Sequence, residues 1–250
     1  MILDAHVHLG EDVVFDEVNT EEELIQYYDE FQVDGGIIQP FIPRPYIKEH
    51  QDIHNRIAKF CKEQWPRKKF FGMDSINPHF YPEDYYEEAR RCVQDLGFVG
   101  LKITPIAHAC HPSSKDAYYV YEVCRELKVP LMIHTGNGIP FADPTSVYQG
   151  AKDHPDVPVI LAHAGSESFN QQARLLAKKL DNVFLEPSWC GTNAVKHMIE
   201  EVGCDKILFS SDNLDQIPVE LAKYRQIIKN EDDLEKVMWK NTVRIFNLKL

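Results

Sequence analysis

The chain has 250 residues, of which 44% are hydrophobic and 26% charged, with a formal net charge of -12. That acidity excludes nucleic acid and an anionic membrane as electrostatic partners, since both are bound through a basic face. No apolar run approaches the about 20 residues needed to cross a bilayer, and the first residues lack the basic and apolar regions of a secretion signal.

The elements follow in regular alternation. The apolar start "MILDA" reads as a buried strand, and "NTEEELIQYYDEF" as a helix opened by a capping box of Thr20 and Glu23. "GGIIQP" is the second strand. "YIKEHQDIHNRIAKFCKEQ" is a helix with Ile47, Ile53, Ile57 and Phe60 as its apolar stripe. "KFFGMDSI" precedes a helix with Pro82 near its start and Gly97 just past its end. "FVGLKI", "VPLMIH", "VPVILAH", "NVFLEP" and "KILFSSD" continue the series, each followed by a helical pattern, and "DLEKVMWKNTVRIFNL" closes the chain as a helix. Short, non-alternating runs rich in β-branched residues are the mark of parallel strands covered on both faces. Eight such strands without a composition break predict one (β/α)8 TIM barrel over residues 1–250. A doubly wound open sheet is the runner-up, and no GxGxxG follows the first strand.

Six cysteines stand without a CxxC pair, so reduced thiols in a cytoplasmic protein are expected. The expected partner is a small-molecule substrate; a homodimer is the commonest symmetric assembly if the chain associates.

Catalytic residues of a barrel gather at the C-terminal ends of its strands. Those ends carry His6 and His8, then Lys102 and Thr104, His134, His163, Glu186 and Asp212. Each has a bland reading. A single histidine at a strand end is commonly a hydrogen-bonded structural residue, and Asp212 fits as a cap for the next helix. Jointly, a ring of imidazoles with a carboxylate is satisfied by a metal ion. His6 and His8 are two apart and point to one side of a strand, and Asp4 is in phase with them. His50, His54, His154 and His197 read as surface residues, while His79, His108 and His111 fall in loops of the active face. Arg44 lies in "PFIPRPY", where it either grips a substrate carboxylate or sits in a stiffened surface loop. Trp189 in "PSWCG" either stacks on a substrate ring or packs.

"DAHVHLG", "GLKITP", "IHTG", "LAHAG", "SSDN" and "NTVRIFNL", in that order, resemble the amidohydrolase superfamily, and most closely its amidohydrolase-2 branch of metal-dependent hydrolases and nonoxidative decarboxylases. The resemblance implies that His6, His8, His134 and Asp212 hold one divalent metal, and that His163 is a catalytic histidine beside it or a ligand to a second ion. Lys102 lies near the place of a bridging carbamylated lysine in binuclear relatives; a substrate-contacting or internally paired ammonium is the expected role here. Many decarboxylases of the branch open with an ExHxH-type motif, whereas the residue two before His6 is Asp4.

That departure tips the expectation toward hydrolysis of a small ester, lactone or amide. A zinc ion with an open position would activate water, Asp212 would take its proton and His163 would support the oxyanion. Decarboxylation of an aromatic or unsaturated acid is the alternative, and a barrel that only binds a ligand is a third reading.

Overall fold

The computed structural model describes residues 1–13, 16–136 and 141–250. β1 (Leu3–Glu11) pairs antiparallel with the short β2 (Val18–Asn19). Then come α1 (Glu21–Glu30), β3 (Gly35–Pro40), α2 (Ile47–Gln64), β4 (Lys69–Gly72), α3 (Pro82–Arg90), β5 (Leu101–Ile103), α4 (Lys115–Leu127) and β6 (Leu131–His134). They are followed by α5 (Tyr148–Asp153), β7 (Val159–Ala162), α6 (Ser166–Lys179), β8 (Val183–Glu186), α7 (Thr192–Val202), α8 (Ile217–Ile227), α9 (Glu231–Glu235) and α10 (Asn241–Ile245).

β1, β3 and β4 form one parallel ladder, and β5, β6, β7 and β8 another. Three isolated parallel bridges join them. Asp74 pairs with Leu101, Leu185 with Ile207, and Asp212 with Val7. Residues 207–212 thereby act as the eighth stave, and the sheet closes into a (β/α)8 barrel. Among the described residues, no helix is long and apolar enough to cross a membrane.

The barrel interior holds Leu3, Ala5, Ile37, Met73, Met132, Ile160, Ala162 and Leu208, with Phe246 and Leu248 of the C-terminal segment packed against them. The intervening strand residues, among them Ile38, Leu131, Ile133, Val159 and Leu161, pack outward against the helices. Glycine is required where β3 enters between its neighbours: a Cβ on Gly35 would lie 2.1 Å from the carbonyl oxygen of Lys69, and one on Gly36 would lie 2.7 Å from that of Asp4.

The Thr20–Glu23 capping box opens α1 as expected. On α2 the stripe differs: Ile57 and Phe60 are buried, but the turn above them is buried through His50 and His54, with Ile47 and Ile53 at the margin. The expectation that these histidines lie at the surface is corrected, as it is for His154, which is also buried; His108, expected in a loop of the active face, is buried as well. Each has a fixed partner that makes burial affordable. His50 Nδ1 donates to the carbonyl of Ser75 (2.9 Å), and His54 Nδ1 donates to Glu88 Oε1 (2.7 Å). His154 Nδ1 donates to the carbonyl of Gly150 (2.8 Å), and His108 Nδ1 accepts from the Thr104 N–H (3.3 Å).

Candidate active site

The site begins with an irregularity in β1. Asp4 is opposite Gly36, yet Val7 is opposite Ile38, so β1 takes three steps where β3 takes two. This extra residue is a β-bulge, and it reverses the alternation. Before it, Leu3 and Ala5 face the barrel interior; after it, Val7 and Leu9 face the helices, which turns His6 and His8 inward. The Asp4 carboxylate holds the bulge. Its Oδ1 accepts from the N–H of His6 and of Ser211 (3.0 Å each), and its Oδ2 accepts from the Ser211 hydroxyl. Burial pushes its pKa up to about 7 against these bonds. The expectation that Asp4 is in phase with the histidines is therefore corrected: the bulge puts it on the opposite phase.

Both histidines have their tautomer set from behind. His6 Nδ1 donates to Glu186 Oε2 (2.8 Å), and His8 Nδ1 donates to the carbonyl of Pro40 (3.0 Å), which can only accept. The two Nε2 atoms then meet 3.0 Å apart. Asp212 Oδ1 stands 3.0 Å from His6 Nε2 and 3.3 Å from His8 Nε2. Three lone-pair donors converge with no proton of their own to share, an arrangement that fits a cation. Burial, joined by the charges of Lys102 and His8, keeps the His6 pKa well below its ordinary value, so the ring is neutral as a ligand must be. Burial alone would raise Asp212, but His163, His6 and His8 outweigh it and hold this carboxyl well below the usual range.

The Glu186 carboxylate is the hub behind these ligands. It is fully buried, and its Oε2 accepts from the backbone N–H of His163 (3.2 Å) as well as from His6. Its Oε1 accepts from the N–H of Ser188 (2.8 Å) and from the Ser210 hydroxyl. One side chain thus ties together β1, the end of β7, the end of β8 and the eighth stave. Sequence reasoning had placed Glu186 at a strand end without a role. The available signal was a carboxylate at the end of an otherwise apolar strand, which must find donors nearby.

His163 bonds through Nδ1 to Ser188 Oγ (2.8 Å), and burial lowers its pKa to about 3. Its ring centroid lies 5.3 Å from that of His6 and 4.7 Å from that of His134, which stands at the end of β6. Lys102 Nζ points up the barrel and donates to His6 Nε2 (3.1 Å), close to Met132 Sδ (3.5 Å); burial lowers its pKa to about 8. Phe41 stacks on His8 with centroids 4.7 Å apart. Trp189 lies at the rim and donates from Nε1 to Asp212 Oδ2 (2.7 Å). Arg44 is at the surface, 3.7 Å from Glu49. Of the loop histidines, His79 is partly exposed and bonds Asp116 (2.5 Å), His108 is buried, and His111 is exposed.

Backbone strain gathers here. His163, Ala164, Ser166, Trp189 and Asp212, five of the ten non-glycine residues with positive φ among the described residues, lie around the site. A Cβ on Gly136 would fall 2.3 Å from Ser166 Oγ, so the loop after β6 needs glycine to pass the strained turn after β7.

The profile of the amidohydrolase family matches residues 3–248. Gamma-resorcylate decarboxylase of Polaromonas sp. is 24% identical over 248 residues, covering 77% of this chain and 76% of the relative. Among solved structures, a dihydroxybenzoic acid decarboxylase from Polaromonas sp. JS666 with bound manganese and 2-nitroresorcinol has a TM-score of 0.77 at 17% identity, covering 99% of this chain and 97% of that one. The 5-carboxyvanillate decarboxylase of Sphingomonas paucimobilis has a TM-score of 0.76 at 14% identity, covering 99% of each chain. These findings overturn the expectation of hydrolysis, since the named relatives are decarboxylases. The weight given to Asp4 was misplaced for a physical reason: its carboxylate builds the bulge and does not face the reacting groups.

Proposed function

The chain belongs to the amidohydrolase family, and on that premise we propose that it is a metal-dependent nonoxidative decarboxylase of an aromatic carboxylic acid. The metal half of the reading rests on one observation, the convergence of His6 Nε2, His8 Nε2 and Asp212 Oδ1 with both Nδ1 atoms already engaged. The decarboxylation half is supported by the relatives, because the same donors would serve hydrolysis equally well. His6, His8 and Asp212 would hold the ion, with His134 as the proposed fourth ligand. Manganese is the ion named for one neighbour; zinc is the other candidate, and two imidazoles with a carboxylate suit both.

Bound there, a divalent cation supplies positive charge for a substrate carboxylate and an adjacent ring oxygen. The chain's own groups do the rest. Lys102 adds a second positive charge at the floor of the site. Phe41, stacked behind His8, and Trp189 at the rim offer flat apolar surface to an aromatic ring. Asp212, ionised in the resting site, takes a proton from the substrate's ring hydroxyl, which solvent later replaces, and delivers it to the ring carbon that bears the carboxylate. The carbon–carbon bond then breaks, its electron pair returns to the ring, and carbon dioxide leaves. His163, fixed by Ser188 and by Glu186, holds its ring beside the reacting carboxyl.

The test is product analysis of manganese-loaded protein with 2,6-dihydroxybenzoate and 5-carboxyvanillate. Carbon dioxide release, with one deuterium entering the vacated ring position in heavy water, is expected. No carbon dioxide from either acid, together with oxygen-18 uptake from water when a panel of aryl esters and lactones is offered, would refute the reading.

A further inference from the structure

We propose that Trp189 is a positioning residue for Asp212: its indole N–H fixes one carboxylate oxygen so that the other alone faces the cation. The inference rests on the metal site proposed above, and goes beyond the sequence reading of Trp189 as a wall for substrate.

A carboxylate can rotate about its last side-chain bond and offer a cation one oxygen or two. Here that freedom is removed from the far side. Oδ2 accepts from Trp189 Nε1 at 2.7 Å, while Oδ1 lies toward His6 and His8 Nε2 at 3.0 and 3.3 Å. A hydrogen bond to a carboxylate is shorter and stronger than one between neutral groups, so it holds the plane of Asp212. The rest of the indole is not committed in the same way: Trp189 is 47% exposed, an arrangement that core packing would not produce.

The loop that carries Trp189 is braced for this purpose. Trp189 has φ 64 and Asp212 has φ 66, so both partners of the bond sit on left-handed backbone that bulky or branched residues seldom adopt. The Trp189 N–H donates to Glu220 Oε1 (3.1 Å). Lys223 Nζ, 2.6 Å from Glu220 Oε2, donates to the carbonyl of Cys190 (2.8 Å) and reaches that of Pro187 (3.4 Å). A buried ion pair on α8 therefore clamps the loop on both sides of the tryptophan and sets the direction of its ring. Groups that orient a metal ligand from behind typically change metal affinity or activity about 10–100-fold when lost.

The experiment replaces Trp189 in two ways and titrates Mn²⁺ into the metal-free protein. Trp189→Phe removes the N–H and shortens the ring. Site-specific replacement by benzothienylalanine keeps the bicyclic shape and substitutes sulfur for the N–H, so folding is preserved. Both variants are expected to bind Mn²⁺ about tenfold more weakly, and Trp65→Phe, remote from the site, to bind it as the unaltered protein does. With an active substrate, kcat should fall in the benzothienylalanine variant while KM stays within about twofold; a wall that only stacks on substrate would leave this variant's kcat intact. Mn²⁺ affinity within about twofold of the unaltered protein in the benzothienylalanine variant would overturn the proposal. If no aromatic acid is decarboxylated, the proposed reaction falls, yet the Mn²⁺ titration still decides the role of Trp189.

Discussion

Replacing Glu186 by glutamine keeps the shape of the hub and changes two acceptor oxygens into one oxygen and one NH₂. The carboxylate serves four donors: His6 Nδ1 and the His163 N–H at Oε2, and the Ser188 N–H and the Ser210 hydroxyl at Oε1. With the NH₂ on the Oε1 side, Ser210 can rotate to accept, but the Ser188 N–H is left facing another donor, at about 1–3 kcal/mol. The other three bonds drop from charged to neutral strength, about 1 kcal/mol each. Against that total of about 4–6 kcal/mol stands relief from burying an ion, worth several kcal/mol. A net loss of about 1–3 kcal/mol in unfolding free energy is expected. With the NH₂ on the Oε2 side, His6 must accept at Nδ1, and its Nε2 then carries a proton into the cluster of Nε2 and Oδ1 atoms. Either way Mn²⁺ affinity should fall about 10–100-fold, or about 1.4–2.7 kcal/mol. Urea unfolding of the metal-free protein measures the first quantity, and Mn²⁺ titration the second. A Glu186→Gln protein that matches the unaltered one in both would refute the account of the hub.

Asp212→Asn still offers an oxygen to Trp189 but has no proton to give, so carbon dioxide release should drop about 10²–10⁴-fold; retention within tenfold would remove Asp212 from the proton path. Metal binding should stabilise the fold: Mn²⁺ at about 100 times its Kd adds about 2.7 kcal/mol, or roughly 5–10 °C in Tm for a chain of this size, and His8→Ala should erase the shift in thermal unfolding. Acid unfolding should report Glu88. Burial pushes this carboxyl up, but bonds from His54 and Arg91 prevail and lower it from 4.5 to about 2. The ionised form is thus favoured by folding, and its contribution is complete above pH 4.5 and lost as pH falls toward 2. Glu88→Gln should flatten the Tm-against-pH curve across that window, and an unchanged slope would show that Glu88 is not the group involved.

Much of the barrel was legible because each stave is a short apolar run between helical patterns, and because the polar exceptions fall at the same end of their strands. "HVH" was readable as two imidazoles on one side because side-chain alternation is local. The bulge was not readable: it arises from pairing with β3 and the eighth stave, and nothing within "LDAHV" marks the extra step. His50, His54 and His154 were misplaced because an imidazole is polar by type and buried only by virtue of a partner elsewhere in the fold, such as Glu88, which lies 34 residues from His54. Glu186 had no visible role for the same reason, since its donors lie on His6, His163, Ser188 and Ser210. The direction of the chemistry was hidden for a different reason: imidazoles and a carboxylate around an ion are common to hydrolysis and decarboxylation, and the difference lies in what enters the open side.

The extra residue in β1 separates two tasks along one strand. Below it, Leu3 and Ala5 fill the cylinder as any stave would; above it, the same stave presents imidazoles. Pairing β1 with β3 step for step, with every residue kept, would restore plain alternation. Both rings would then swing toward the helical shell, while the lower packing stayed as it is. Chemistry and architecture in this chain are thus joined by a single insertion, and either could drift with little consequence for the other.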